Sequence, residues 1–546
     1  MIWQKWLITK LTKLPSKLKI VLAWCSLCNY FNESILREIL FNIHQEIDFS
    51  YELWHWIIDL KITQKFPAAD DFYQIKPYYR KILQKYINKP SSRSELLIRV
   101  FEQCFNTAID PQYSSLYKAG RVIHQICSNS SDISVESIAD ILSIFRYEES
   151  VTKEILRSLS GRLPDRKFYR IYQAAAAIPT RKNIDSVIIL PAAILLEKLA
   201  SQLRPRKFTV FPLYISSLVY QTWSNHKKSI KTLELAKSNL PDENSKSAGV
   251  LLSRLALSCI MVGEMSKAKE SLLHANRILK ANSNEWMDNQ LNEQIWYIKR
   301  GYWQEALKIG LFLEESIKDP YLKAKHAHIL GVNYLYLGNL EMAEEYARKC
   351  EELSSLVTLS SWVIGKAWRN RFAYALLSTI NLVNGSCKSL EEQKKYFRNS
   401  LHIAHDTTRQ LNPLFRWILG CTVESHFLYT EASIAAIRGD YLNAKSKYLQ
   451  LQQDKHLEAY YLISSKLDLA TIELKKHKVT DAVDQYKFCA DKAFEFGFKY
   501  LEIRALRKVC EINFDESLAA RRDALDREPY AIGSSYIDNL EFLIPV

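Results

Sequence analysis

The chain has 546 residues, more than one compact core holds, so it should form two or three domains or one extended repeat array. Hydrophobic residues make up 48% of it, typical of a folded chain, and its 14 glycines and 15 prolines are too few for the turns of an all-β protein. The formal net charge of +14 indicates an acidic partner: nucleic acid, an anionic membrane face or an acidic protein surface.

The termini and cysteines indicate a soluble cytoplasmic protein. The first residues, Met1–Lys5, lack the apolar core and cleavage site of a signal peptide, and the longest apolar run, Val187–Leu196, is about half a membrane span. Ten scattered cysteines, mostly among apolar helical neighbours, are typical of reduced thiols. Cys25 and Cys28 form a lone pair without the second pair of a zinc site, so we predict no metal.

The first ninety residues should contain three helices, a hairpin and a further helix. The predicted helical segments are Ser16–Tyr30, Asn32 or Glu33 to Leu40, and the apolar stretch Leu53–Lys65. A polar turn at residues 68–71 and an extended piece at 72–75 follow, and Pro77 begins the next helix. This order describes a winged helix.

Residues 90–214 are helical by pattern but not visibly repetitive, and they contain a basic zone. Its candidate phosphate or nucleic-acid contacts are Arg166, Lys167, Arg170, Arg204, Arg206 and Lys207. Lys167-Phe168-Tyr169-Arg170 interleaves basic and aromatic side chains, which suits phosphate contact and base stacking. The alternative is a solvated helix face with two aromatic residues turned to the core.

A six-residue signature recurs in the second half: Gly, two residues of which the second is usually bulky, two of any kind, then Ala. It begins at Gly263, Gly301, Gly338 and Gly439, with a Gly-less copy at His477. The spacings are 38 and 37 for the first three and 38 for the last two. Glycine ends one helix in a left-handed turn and the small Ala lets the next helix approach closely, so each copy predicts a helical hairpin.

In the best copy, Leu330, Gly331, Tyr334, Gly338, Leu340 and Ala343 all fall at the offsets of one known pattern. This unit resembles a tetratricopeptide repeat (TPR). A weaker copy has Asn225 in the turn place, and the rhythm breaks between Gly338 and Gly439, where we predict a turn at residues 384–386 and a helix from about Leu390 to Ala404. Residues 490–510 should form a capping helix pair.

Stacked hairpins create a binding surface, and no catalytic motif accompanies them. Side chains on the first helix that cannot reach the partner helix should line the groove. For the best copy these ligand-groove candidates are Lys325, His328, Val332, Leu335 and Tyr336. We therefore predict no enzyme activity and no cofactor.

The winged helix and the long repeats together resemble the bacterial signal-transduction ATPases with numerous domains (the STAND class), over roughly residues 1–90 and 215–512. That class carries a nucleotide-binding domain before the winged helix, whereas this sequence holds no Gly-x-x-x-x-Gly-Lys-Ser/Thr motif. Lys76 stands before the proline where the class often has a phosphate-sensing His. Lys76 either contacts a phosphate supplied by another chain or is simply solvated.

The expected fold is all-α: a winged-helix-like module (1–89), a helical linker (90–214), a TPR-like α-solenoid (215–514) and a C-terminal tail (515–546). The expected function is a non-catalytic interaction scaffold or sensor that binds a protein, peptide or small ligand in its groove, in signalling or transcriptional regulation. Two alternatives stay open: a nucleic-acid-binding regulator that uses the winged helix and basic zone, and a split or remnant half of a STAND ATPase.

Overall fold

A computed structural model describes residues 9, 13–28, 30–43, 47–66, 69–87, 93–108, single positions between 113 and 124, and then 186–201, 206–222, 224–356, 371–386, 388–410, 422–513, 515–527 and 540–543. The chain divides into two compact units, Met1–Ala177 and Ile178–Val546. The finer boundaries expected from the sequence stay predictions.

In the first unit, three helices precede a β-hairpin. The helices are α1 (Ser16–Leu27), α2 (Glu33–Ile43) and α3 (Tyr51–Asp59), the strands are β1 (Thr63–Phe66) and β2 (Ala69–Ile75), and α4 (Pro77–Leu83) and α5 (Arg93–Thr107) follow. A short 3-10 helix, Gln84–Tyr86, lies between the last two. The strands pair antiparallel, with Thr63 opposite Ile75.

The stretch Leu53–Lys65 is not one helix, because the structure divides it between α3 and β1. Thr63 Oγ1 donates a hydrogen bond to the carbonyl oxygen of Ile57 at 2.8 Å, which satisfies a carbonyl at the end of α3. Pro67 disfavours helical backbone at Phe66. The second strand begins at Ala69, inside the predicted turn, so the hairpin is longer than expected.

Aromatic residues fasten the hairpin to the helices. Phe31 and Tyr73 exchange two backbone hydrogen bonds, each 2.8 Å long. The ring of Tyr30 lies 4.8 Å from that of Phe66 on β1 and 6.0 Å from that of Phe101 on α5. All four of Tyr30, Phe31, Phe66 and Phe101 are buried. The core of this unit therefore sits between the strands and the helices that flank them.

All the regular secondary structure described in the second unit is helical. Its first helices are α6 (Ser186–Ala200), α7 (Val210–Thr222), α8 (His226–Ser238), α9 (Lys246–Val262), α10 (Met265–Ile278), α11 (Asn284–Arg300), α12 (Trp303–Leu313), α13 (Pro320–Tyr336) and α14 (Leu340–Leu356). The later ones are α15 (Arg371–Ser386), α16 (Leu390–Gln410), α17 (Thr422–Ile437), α18 (Tyr441–Gln452), α19 (Ala459–Lys475), α20 (Val479–Phe496), α21 (Lys499–Ile512) and α22 (Glu516–Asp526).

The recurring signature marks the turns of helical hairpins, as the sequence predicts. Gly263, Gly301, Gly338 and Gly439 all have left-handed backbone, with φ of 88°, 93°, 79° and 80°. His477 adopts the same conformation, with φ of 60°, so the Gly-less copy keeps the turn. The weaker copy differs, because its left-handed residue is Ser224 (φ 56°) and Asn225 is the N-cap of α8.

The predicted turn at residues 384–386 is wrong, because these residues form the last turn of α15. Gly385 allows the two helices to pack closely, because a Cβ at this position would lie 2.6 Å from the ring of Phe397 on α16. The helix predicted over Leu390–Ala404 exists and continues to Gln410. The stretch 490–510, expected to form a capping pair, contains the end of α20 and most of α21, which pack together on either side of the Gly497 turn.

None of the described helices is both long enough and apolar enough to cross a membrane.

Candidate functional site

The first helices of successive hairpins pack against one another in the series α9, α11, α13, α15 and α17. The side chains through which these helices, and α19 after them, contact the first helices of other hairpins form what we call the inner face. A buried polar residue stands nine positions before the turn residue in four of the five hairpins that carry the signature: Arg254, Asn292, Thr430 and Asp468. The hairpin with its turn at Gly338 has Ile329 at this position.

Lys325, the first predicted groove residue, is engaged in an ion pair on the inner face. Its Nζ donates to Asp288 Oδ1 at 3.1 Å and to Asn292 Oδ1 at 2.6 Å. Arg254 Nη2 lies 4.0 Å from the other oxygen of Asp288. Two cations thus share one carboxylate across α9, α11 and α13, which joins three hairpins electrostatically.

The other four predicted groove residues differ in exposure. His328 is half-buried, with its ring 5.1 Å from that of Phe372. Val332 is 8% exposed, whereas Leu335 and Tyr336 are 0% and 2% exposed. Leu335 and Tyr336 are therefore part of the packed interior.

Tyr336 is buried because a later hairpin covers it. Its hydroxyl lies 3.1 Å from that of Tyr460 on α19, which is 124 residues away in sequence. Its ring stacks on Trp303, with centroids 4.7 Å apart and an angle of 9°, and Tyr500 on α21 meets Trp303 edge-on at 4.9 Å. We call Trp303, Tyr336, Tyr460 and Tyr500 the closure cluster.

Further contacts accompany the closure cluster. Helix α9 packs directly against α19, and Lys299 on α11 pairs with Glu458, just before α19, at 3.5 Å. A Cβ on Gly263 would lie 2.7 Å from the ring of Phe496, so the lack of a side chain at this turn also allows the end of α20 to pack closely against it. The early and late hairpins of the unit therefore touch one another along the inner face.

The tail segment, residues 540–543, lies against the inner face of the late hairpins. The backbone N–H of Leu543 donates to Asp468 Oδ1 at 2.9 Å, and Ser433 Oγ donates to its carbonyl oxygen at 3.4 Å. Arg504 Nη2 donates to the carbonyl oxygen of Leu540 at 2.6 Å. Phe542 is only 3% exposed and Leu543 only 5%. The helices hold this segment by its main chain and bury its apolar side chains.

Asp468 is the centre of this site. It is fully buried, and its Oδ2 accepts hydrogen bonds from the hydroxyls of Tyr429 at 2.7 Å and Tyr448 at 2.9 Å. Burial raises the pKa of Asp468 to about 6, although the hydrogen bonds from Leu543, Tyr429 and Tyr448 act in the opposite direction. Its carboxylate is preorganised to accept a peptide N–H, because its second oxygen is already fixed.

Arg504 connects the tail segment to the closure cluster. While Nη2 contacts Leu540, Nη1 donates to the hydroxyl of Tyr500 at 3.0 Å. One guanidinium therefore touches both the peptide carbonyl and a residue that packs on Trp303.

Sequence reasoning missed Asp468, Arg504 and the tail segment. A signal was present for Asp468, because a polar residue recurs nine positions before the turn in four of the five hairpins that carry the signature. The best TPR-like copy lacks this signal, because it has Ile329 at that position. Nothing in the local sequence indicated Arg504 or the tail, because both act through contacts far apart in the chain.

The predicted phosphate or nucleic-acid contacts are described only in part. Lys76 Nζ donates to the carbonyl oxygen of Lys61 at 2.7 Å, so it closes the base of the hairpin in the first unit. Arg206 is exposed in the 3-10 helix Arg206–Thr209, which also contains Lys207. The other four, Arg166, Lys167, Arg170 and Arg204, lie outside the described residues.

The cysteines within the described part of the chain are all free thiols. Cys25 and Cys28 are both buried, and burial raises the pKa of Cys25 to about 12, so its thiol stays protonated. Among the residues that the structure describes, no three His, Cys, Asp or Glu side chains are grouped as a metal site requires.

No family model and no curated protein matches the chain. Among solved structures, it is similar to a Rap protein complexed with competence and sporulation factor, with 11% identity and a TM-score of 0.45 over 71% of this chain and 99% of that one. It is also similar to a STAND protein with a tetratricopeptide repeat sensor from Pyrococcus horikoshii, with 14% identity and a TM-score of 0.41 over 94% of this chain and 66% of that one. Likenesses at these identities and TM-scores assign no function to the chain.

Proposed function

We propose that the chain is a protein-interaction scaffold of TPR-like hairpins whose inner face binds a short, non-helical peptide segment. The observation that carries this proposal is the tail segment: Asp468 and Arg504 hold its main chain at Leu543 and Leu540. A surface that binds four residues of its own chain in this way is suited to a partner peptide of similar chemistry.

The chemistry of the site favours binding over catalysis. Asp468, Tyr429 and Tyr448 are buried and bonded to one another, which fixes an acceptor for a peptide N–H. Hydrogen bonds to a charged group contribute roughly 1.5–3 kcal/mol each, so the Asp468 contact is worth about tenfold to a hundredfold in affinity. Arg504 supplies the complementary donor for a carbonyl three residues earlier.

The test is a binding titration on the full-length protein. The tail is first released by Leu543→Asp, because a second carboxylate beside Asp468 repels the first one. A fluorescent peptide with the sequence of residues 536–546 is then titrated, and we expect saturable binding at one site per chain. A peptide of the same composition in scrambled order is the ligand control.

The decisive comparison adds one of two matched substitutions to this protein. Asp468→Asn removes the charged acceptor while keeping the side-chain volume, and we expect at least tenfold weaker binding. Asp484→Asn is the control, because Asp484 is exposed on the neighbouring helix α20. Equal affinity for the two variants, or binding of the scrambled peptide with the same affinity, would contradict the proposed site.

We also propose that residues 1–89 form a winged-helix-like module, as expected from the sequence. Three helices followed by an antiparallel hairpin support it, and so does the backbone bridge between Phe31 and Tyr73. Nucleic-acid binding and a role as part of a STAND ATPase stay predictions of the sequence.

A further inference from the structure

We propose that the tail segment is a built-in competitor for the peptide site, and that its own sequence specifies the external partner: an acidic residue followed by two apolar residues, the second with a free backbone N–H. This inference rests on the proposed function and adds to it the regulation of the site and the chemistry of its ligand.

Each position of the segment has a distinct contact. Glu541 pairs with Lys475 at the end of α19, where both side chains are about half exposed to solvent (50% and 41%). Phe542 and Leu543 are almost completely buried. The ion pair therefore aids orientation more than affinity, and the two apolar side chains anchor the peptide.

The N–H of Leu543 imposes the sharpest requirement. Asp468 accepts only this donor from the segment, at 2.9 Å, and its other oxygen is occupied by Tyr429 and Tyr448. Proline lacks a backbone N–H and would leave the buried carboxylate short of one donor. A partner with proline at this position should therefore be rejected even when its apolar anchors fit.

Because the chain's own tail segment occupies the site, an external peptide can bind only by displacing it. A covalently attached ligand competes at an effective concentration on the order of millimolar, whatever the concentration of protein. An external peptide must overcome this competition, so its apparent affinity for the native protein should be at least about tenfold weaker than for a protein whose tail cannot bind. A partner with better anchors than Phe542 and Leu543 would displace the tail.

The experiment compares three full-length proteins: wild type, Leu543→Asp and Leu442→Asp. Leu442 on α18 is 78% exposed, so the control variant makes the same chemical change outside the site. The probe is the peptide of residues 536–546. We expect Leu543→Asp to bind it at least tenfold more tightly than wild type and Leu442→Asp to match wild type. Phe542→Asp is a second tail variant and should behave as Leu543→Asp does.

The outcomes separate this proposal from the proposed function. Equal binding by wild type and both tail variants would overturn competition by the tail while leaving the peptide site intact. Absence of binding by every protein would remove the site itself, and this inference with it.

A second probe tests the ligand chemistry. The same peptide with Leu543→Pro should bind the Leu543→Asp protein at least tenfold more weakly than the unmodified peptide. A peptide with Glu541→Gln should lose far less affinity, because the Lys475 pair is solvent-exposed. Equal affinity of the proline and unmodified peptides would overturn the requirement for the N–H.

Discussion

The contact between early and late hairpins can be tested through the hydroxyl pair of Tyr336 and Tyr460, which lie 3.1 Å apart and are 2% and 5% exposed. Tyr336→Phe removes one hydroxyl and leaves the other buried without this partner. The cost of a buried polar group that loses its hydrogen bond is about 1–3 kcal/mol. We expect Tyr460→Phe to cost a similar free energy of unfolding, for the same reason.

The double variant is the informative one. With both hydroxyls removed, the two phenyl rings pack without an unpaired polar atom, so the double variant should be much more stable than the sum of the single losses implies. The coupling free energy between the two positions should be on the order of 1–2 kcal/mol. Urea denaturation of the four proteins, followed by tryptophan fluorescence and circular dichroism, measures it.

A matched control uses Tyr334, which is half-buried on the same helix and stacks on Tyr346 at 5.5 Å. The effects of Tyr334→Phe and Tyr460→Phe should add, since these residues share no contact that would couple them. If the losses of Tyr336→Phe and Tyr460→Phe are also additive, helices α13 and α19 do not meet in solution. The contact between the early and late hairpins would then be refuted.

Three further variants test the turns and the buried histidine. His477→Gly should raise the free energy of unfolding by roughly 0.5–1 kcal/mol, because glycine tolerates a φ of 60°. Gly439→Ala should lower it by about 1–2 kcal/mol through backbone strain alone, because a Cβ at this position would meet no heavy atom within 4 Å. Denaturant titration should therefore show changes of opposite sign for the two variants. Burial lowers the pKa of His426 from its ordinary value of 6.5 to about 3, so the stability that the neutral ring contributes is fully present above pH 6.5 and is lost as the pH falls towards 3. Between pH 7 and pH 4 the wild type should lose on the order of 3 kcal/mol more than His426→Gln, and parallel stability curves would contradict this.

The helical hairpins could be predicted from the sequence because their signals are local. A turn needs a left-handed residue, and Gly263, Gly301 and Gly338 supply it at nearly constant spacing. The same logic located the turn at His477, where the pattern of apolar residues outweighed the missing glycine. It failed at Gly385, where glycine serves close packing on Phe397 and not a turn.

The site could not be predicted in the same way, because it depends on which hairpins meet. The offsets on α13 placed Tyr336 on the inner face, but only the path of the later hairpins shows that Tyr460 covers it. Leu543 and Asp468 are 75 residues apart and belong to no common motif. Local periodicity predicts which face of a helix is buried. Which helix packs on that face depends on the cumulative rotation between successive hairpins.

The energetics of the tail explain how one segment can both fill the site and leave it. Burying Phe542 and Leu543 contributes about 3–6 kcal/mol, whereas fixing the backbone of four residues costs about 4–8 kcal/mol. The hydrogen bonds to Asp468 and from Arg504, at roughly 1.5–3 kcal/mol each, then decide the balance in favour of the bound segment by a few kcal/mol. Because Arg504 also holds Tyr500 of the closure cluster, exchange of the tail for a partner peptide would change a contact of the residues that join the early and late hairpins.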